Sequence, residues 1–319
     1  MDRNRKILIA LLSLVVLSAI LAIVDISMTM QQKEKKHFTL QAPQYGPGVG
    51  VVRIYGRIEM ASQRTGMLGI SSGADAIVER LSQLAKDSRI RAIVIRINSP
   101  GGTVAATQEI FNKIMEIRKK NITVVASMGD IAASGGYYIA SACDHVFANY
   151  GTITGSIGVI IMSPDLRGLF DKLGIKMNVI KSGRYKDILS SYRQISSEER
   201  ELIQELIDTS YEKFLKDVSL GRNIPISDFK QYADGRVFTG ATAVEYKLVD
   251  QVGTFHDSLA KAKELAELPD DAAVYEKTSS PFEEFLMTMK AMYGGFMRAG
   301  GLFPADTVNN SIIEYSYKP

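Results

Sequence analysis

The chain has 319 residues, 38 Lys and Arg against 35 Asp and Glu, a formal net charge of +3 and 46% apolar composition. That is enough apolar material for a sizeable core, and the absence of any basic cluster interleaved with aromatics argues against a nucleic-acid partner. The single cysteine, Cys143, cannot close an intramolecular disulfide and reads as a small buried residue; without Cys-x-x-Cys or a His, Cys and carboxylate cluster at metal spacing, neither metal nor cofactor is expected.

In chain order, residues 7–24 form an uncharged, almost wholly apolar run preceded by Arg3, Arg5 and Lys6. As a helix this run spans about 27 Å, enough for a bilayer core. A cleaved signal peptide is the rival reading, but no clean small-x-small site follows Ala19 and Ala22. The expectation is an uncleaved transmembrane helix over 7–24. The basic residues closest to it lie on its N-terminal side, which places residues 1–6 in the cytoplasm and the rest of the chain outside. Residues 25–47, polar towards their end and carrying Pro43 and Pro47, read as a linker.

A folded region is expected over 48–265. It opens with a strand over 49–55, a helix over 74–86 and a strand over 91–97. The last runs into Asn98-Ser99-Pro100-Gly101-Gly102, and a helix over 103–120 follows, ending in Arg118-Lys119-Lys120 as its C-terminal dipole favours. A second β-branched run, 122–126, leads to Asp130-Ile131-Ala132-Ala133-Ser134-Gly135-Gly136-Tyr137-Tyr138 and a short helical pattern. Alternation of this kind predicts an α/β sheet with parallel strands, whose loops gather at the strands' C-terminal ends. Ser134 then stands near a helix N-terminus with unsatisfied N–H groups, and Gly135 with Gly101 or Gly102 could offer donors to an oxyanion. Taken alone, Ser-Gly-Gly is more commonly a helix cap.

A base for Ser134 is harder to find. His37, His145 and His256 are the only histidines, and none has an obvious claim. Ala132 replaces the first glycine of a Gly-x-Ser-x-Gly elbow, which disfavours a hydrolase triad of that type. Lys186 lies 52 positions downstream in Lys181-Ser182-Gly183-Arg184-Tyr185-Lys186-Asp187. A solvated lysine titrates near 10.4 and is protonated at neutral pH, so a base role demands a dry pocket worth roughly 4 to 5 kcal/mol against the charged form. Asp187 would oppose this if it faced the amine.

Further on, helices are expected over 164–173 and 196–218. The second opens on Ser196-Ser197-Glu198-Glu199 and carries the apolar stripe Ile203, Ile207, Tyr211, Phe214 and Val218. Residues 266–319 read as a C-terminal extension with a Met- and Phe-rich helical segment over 281–298. A tail over 311–319 follows, whose tyrosines and apolar residues suit docking in a groove.

Five ordered blocks join these readings: Asn98 to Gly102, Ala133 to Tyr138, Gly155-Ser156-Ile157-Gly158-Val159, Ser182 to Asp187, and Gly235 through Gly253. Together they resemble the signal peptide peptidase SppA family of serine proteases, within the crotonase/Clp-protease superfamily. The resemblance implies an α/β fold of repeated ββα units, Ser134 as nucleophile, Lys186 as general base and Ser156 orienting the lysine. It also implies oxyanion donors at Gly101, Gly102 and Gly135, signal peptides left in the membrane as substrates, and a ring-shaped homo-oligomer. No internal repeat is present, so the chain corresponds to the family's short form. Two other readings are a crotonase-type acyl-CoA enzyme, which usually uses a carboxylate base, and a non-catalytic membrane scaffold.

Overall fold

The computed structural model describes residues 46–60 and 73–276 and the backbone of 314–316. The expected transmembrane helix, most of the linker and the segment 281–298 lie outside the described residues. Among those described, no helix is long and apolar enough to cross a membrane.

The core is an eight-stranded sheet. Its main path runs β7 (Val237–Thr239), β6 (Ile153–Gly155), β4 (Thr123–Ala133), β2 (Ile90–Ser99), β1 (Gly48–Tyr55), β9 (Ala273–Glu276); β5 (His145–Ala148) pairs with β4 and with β8 (Gln251–Val252). Every pairing in it is parallel except β6 with β7. The three central strands are apolar along nearly their whole length because both faces are covered, as the continuous β-branched runs require. One face packs Ile93, Ile95 and Val124 under the helices α1 (Ala74–Lys86) and α2 (Val104–Arg118). The other packs Val94 and Val125 under the helix Phe255–Leu265 through Ala262 and Leu259.

Strand β4 reaches further than the run 122–126 suggests, continuing to Ala133. Its first half pairs with β5 through Val125 and Ser127, and its last three residues pair instead with β6, Ala133 opposite Gly155. This change of neighbour brings the end of β4 against the Gly155-Ser156 block. Cys143 is buried, as expected, and burial raises its thiol well above the ordinary range, which makes it chemically quiet.

A long segment, Gly158 to Ile195, leaves this core with no buried residue. It contains the short helix Arg167–Leu173 and exposes Met162, Leu169, Leu173, Met177 and Ile180. The chain returns through α5, the 26-residue helix Ser197–Arg222, whose N-terminus is closed by a capping box between Ser196 and Glu199. Of the predicted apolar stripe, Phe214 and Val218 are buried, while Ile203, Ile207 and Tyr211 are only partly covered.

Candidate active site

Ser134 sits between the last residue of β4 and the first of the helix Gly135–Ser141, here α3. Its backbone holds φ 52° and ψ −114°, a conformation that a residue with a Cβ rarely adopts and that costs of order 1–3 kcal/mol. The turn is held from both sides: Ser134 N–H donates to the Gly155 carbonyl at 2.8 Å, and the Ser134 carbonyl accepts from Tyr138 N–H at 2.8 Å. The side chain caps nothing, so the common use of Ser-Gly-Gly does not apply. The residue is 1% exposed, and its Oγ is a buried oxygen with no hydrogen-bond partner among the described residues. Leaving such a group unpaired costs about 1–3 kcal/mol, an expense with no structural return.

The first Gly-rich turn lies beside it. A Cβ on Gly136 would stand 2.8 Å from the Ser99 carbonyl, so only glycine lets α3 approach the end of β2 so closely. Gly101 N–H donates to Ser99 Oγ at 3.1 Å. Residues Gly101–Thr103 form a short strand, β3, that brackets Ile58: Ile58 N–H donates to the Gly101 carbonyl at 2.9 Å, and Thr103 N–H donates to the Ile58 carbonyl at 2.8 Å. By alternation the N–H and C=O of Gly102 face the opposite edge. On that edge lies β10 (Glu314–Ser316), antiparallel, with Tyr315 opposite Gly102 and Ser316 opposite Gly101. β10 also contacts α2 and α3. Three residues of the tail expected over 311–319 thus pair through their backbone with β3.

Ser156, 8% exposed, follows Gly155 at the end of β6 and is also at positive φ, 51°. Its N–H donates to the Arg236 carbonyl at 2.7 Å, so the fifth sequence block positions the third through the β6–β7 pairing. Sequence reasoning missed Asn98, whose Oδ1 accepts from Ile131 N–H at 3.0 Å and whose Nδ2 donates to Asp130 at 3.3 Å. It ties the two glycine turns together, and an amide immediately before Ser-Pro-Gly-Gly was the available signal.

The structure therefore brings Ser134, Gly135, Ser156, Gly101 and Gly102 together. It does not bring Lys186 to them within the single chain. Lys186 is exposed in a run of turns between 182 and 193, and its amine makes no hydrogen bond to Ser134. Its neighbour Asp187 faces elsewhere: the Arg193 guanidinium and the Lys181 amine hold that carboxyl far below the ordinary range. Among the histidines described, His145 is part-buried beside Phe147, and burial lowers its pKa; His256 lies in the first turn of the helix Phe255–Leu265.

The sequence profile of peptidase family S49 matches residues 116–269, and that of Clp protease matches residues 64–149. The parallel-dominated α/β sheet fits the second as well as the first. A Synechocystis sp. protein named as a protease is 46% identical over 66% of this chain and 76% of its own length. An Enterococcus faecium protein named as a signal peptide peptidase SppA is 37% identical over 63% of this chain and 58% of its own. Protease 4 of Haemophilus influenzae is 32% identical over 65% of this chain but only 33% of its own. The chain thus spans less than two thirds of the last two.

Proposed function

The chain belongs to peptidase family S49 and is a serine-type peptidase, and from that premise we propose that it is a membrane-anchored endopeptidase with Ser134 as nucleophile and Lys186 as general base. The observation that carries the reading is Ser134 itself, a buried hydroxyl with no hydrogen-bond partner among the described residues, on a turn at positive φ. Such a group is set for a base that arrives from elsewhere. In the proposed mechanism neutral Lys186 takes the proton from Ser134 Oγ as that oxygen attacks the peptide carbonyl. Backbone N–H groups at Gly101–Gly102 and Gly135 bind the resulting oxyanion. Lys186 then protonates the leaving amine, and water activated by the same lysine releases the acyl-enzyme, with Ser156 orienting the amine.

Lys186 is exposed in the single chain, so its neutral form needs cover from another copy. The exposed apolar residues between Met162 and Ile180, with Leu202 and Leu206 on α5, favour a ring-shaped homo-oligomer that buries this arm. Substrates would be extended, apolar peptides paired along Gly101–Thr103, which suits signal peptides left in the membrane. The anchor over 7–24 would hold the catalytic region outside the cytoplasm. No cofactor enters any step.

The direct test is labelling with a fluorophosphonate probe. Wild-type protein is expected to be labelled at Ser134, faster as the pH rises through the titration of the base, and Lys186→Met to be labelled slowly at every pH tested. Equal labelling of both proteins would remove Lys186 from the mechanism.

Strand β10 occupies the edge this reading assigns to substrate. Ending the chain at residue 310 is accordingly expected to raise kcat/KM for a short peptide several-fold, because a competing strand is gone. An unchanged rate would show that the strand does not compete.

A further inference from the structure

The segment 181–199 has seven charged side chains: the cations Lys181, Arg184, Lys186 and Arg193, and the carboxylates Asp187, Glu198 and Glu199. Three cations take up all three carboxylates. Asp187 Oδ1 accepts from Lys181 Nζ at 2.6 Å and Arg193 Nη2 at 2.8 Å, and its Oδ2 accepts from Arg193 Nε at 2.9 Å and the Tyr192 hydroxyl at 3.3 Å. Glu199 accepts from Arg193 Nη2 at 2.6 Å and Nη1 at 2.8 Å, and also from Ser196 N–H at 2.9 Å. Glu198 is held by Arg184 and the Tyr185 hydroxyl. Lys186 is the cation left over, with no ion pair or hydrogen bond from its amine to any described residue.

This distribution is unexpected on sequence grounds. Asp187 is the carboxylate nearest Lys186 along the chain, and both are held on a segment with almost no apolar anchorage. Yet the Asp187 side chain is only 9% exposed and the Glu199 side chain 5%, against 28% for the Arg193 that joins them. The cluster also staples the Lys186 turn to the N-terminus of α5, since Glu199 closes that helix's capping box.

Resting on the assignment of Lys186 as base, we infer that the Lys181, Asp187, Arg193 and Glu199 cluster is a positioning clamp that keeps Asp187 away from the Lys186 amine. A carboxylate within about 4–6 Å of an ammonium favours the charged form by roughly one to three pH units. Asp187, if free to swing, would place such a charge on the group that must lose its proton. With its oxygens filled by Arg193 and Lys181 it has no free acceptor to offer. The other charged groups packed against this segment are Arg184 and Glu198, which pair with each other and with Tyr185, and Asp165 and Arg167, which pair with each other while Arg167 Nη1 donates to Gln194; in the proposed mechanism Ser134 and Ser156 are added, and both are uncharged.

The test is the pH profile of kcat/KM in the full-length, assembled protein with a fluorogenic peptide. Activity needs neutral Lys186, so it falls on the acid side as the amine protonates. Arg193→Gln removes two of the four hydrogen bonds on the Asp187 carboxylate, leaving those from Lys181 and Tyr192, and so loosens its hold; the ammonium is then stabilised, and the acid limb is expected to move up by about one pH unit. Adding Asp187→Asn to the same chain is expected to return the limb to its wild-type position, a rescue that loss of packing would not produce. Lys181→Met removes one of the hydrogen bonds on Asp187 and is expected to move the limb the same way by less. An Arg193→Gln profile lowered equally at every pH, or a limb that the double variant leaves displaced, overturns the clamp. Full activity in Lys186→Met overturns the base assignment instead, whatever the Arg193 variants do.

Discussion

Ser134→Ala is expected to lower kcat/KM for a peptide substrate by about 10⁴-fold or more, equivalent to about 5.5 kcal/mol of transition-state stabilisation. Thermal stability should not fall with it. The hydroxyl being removed is buried and bonded to nothing among the described residues, so no hydrogen bond is lost. Lys186→Met is expected to cost activity on the same scale, because an alcohol attacks a peptide carbonyl poorly unless its proton is accepted as the bond forms. The two changes act on one step, so the double variant should be little worse than either single variant. Additive losses would mean that the two residues serve different steps. A drop in melting temperature for Ser134→Ala would mean that the residue has a packing role that its geometry conceals. Such a result would undercut the nucleophile assignment.

Much of this site was legible from one strand of reasoning, that apolar β-branched runs stopping at glycines place loops on a common sheet edge. The runs 91–97 and 122–126 form buried parallel strands, as their apolar pattern predicts, and both glycine turns fall beside each other. The extent of β4 was not legible. Its last residues, Asp130-Ile131-Ala132-Ala133, lack the hydrophobic run that marks a strand and are held by distant partners, β6 on one side and Ser99 of β2 opposite Ala132 on the other. The same blind spot hid β3 and β10, three-residue strands whose partners are far away in the chain. Ser134 could be singled out as a candidate, but its strain and its unpartnered oxygen are properties of tertiary structure. Lys186 shows the limit most clearly. Position 186 could be assigned only through the order of blocks, and among the described residues Lys186 stays exposed, so the cover that the proposed base role needs is not found there. The direction in which Asp187 points was likewise open, since the residues that turn it, Lys181 and Arg193, are six positions away on either side.

What holds the Ser134 turn in place is packing behind it, and Phe214→Ala is the change expected to disturb that most. Phe214 is fully buried on α5, with its ring centroid 4.7 Å from that of Tyr138, and Tyr138 in turn meets Phe111 of α2 edge-on at 5.0 Å. Tyr138 lies one helical turn after Ser134, and its hydroxyl donates to the buried carboxylate of Asp217, which Lys213 Nζ also meets at 2.5 Å. The aromatic row therefore clamps α3 between α2 and α5. Close approach is possible because Gly221 has no side chain: a Cβ there would lie 2.2 Å from the Ser141 carbonyl. Truncating Phe214 removes the ring from a site that glycine-mediated backbone contact prevents from collapsing, so the full cost of a large-to-small change is expected, about 3–5 kcal/mol. That is a large part of the stability of an ordinary domain. Urea unfolding should show a lower midpoint with an unchanged slope, and folded protein should label more slowly at Ser134 because α3 is less firmly held. Asp217→Asn keeps an acceptor for the Tyr138 hydroxyl and is expected to cost about 1 kcal/mol. If Phe214→Ala costs less than Asp217→Asn, the aromatic row does not carry α3, and the polar contact between Tyr138 and α5 does.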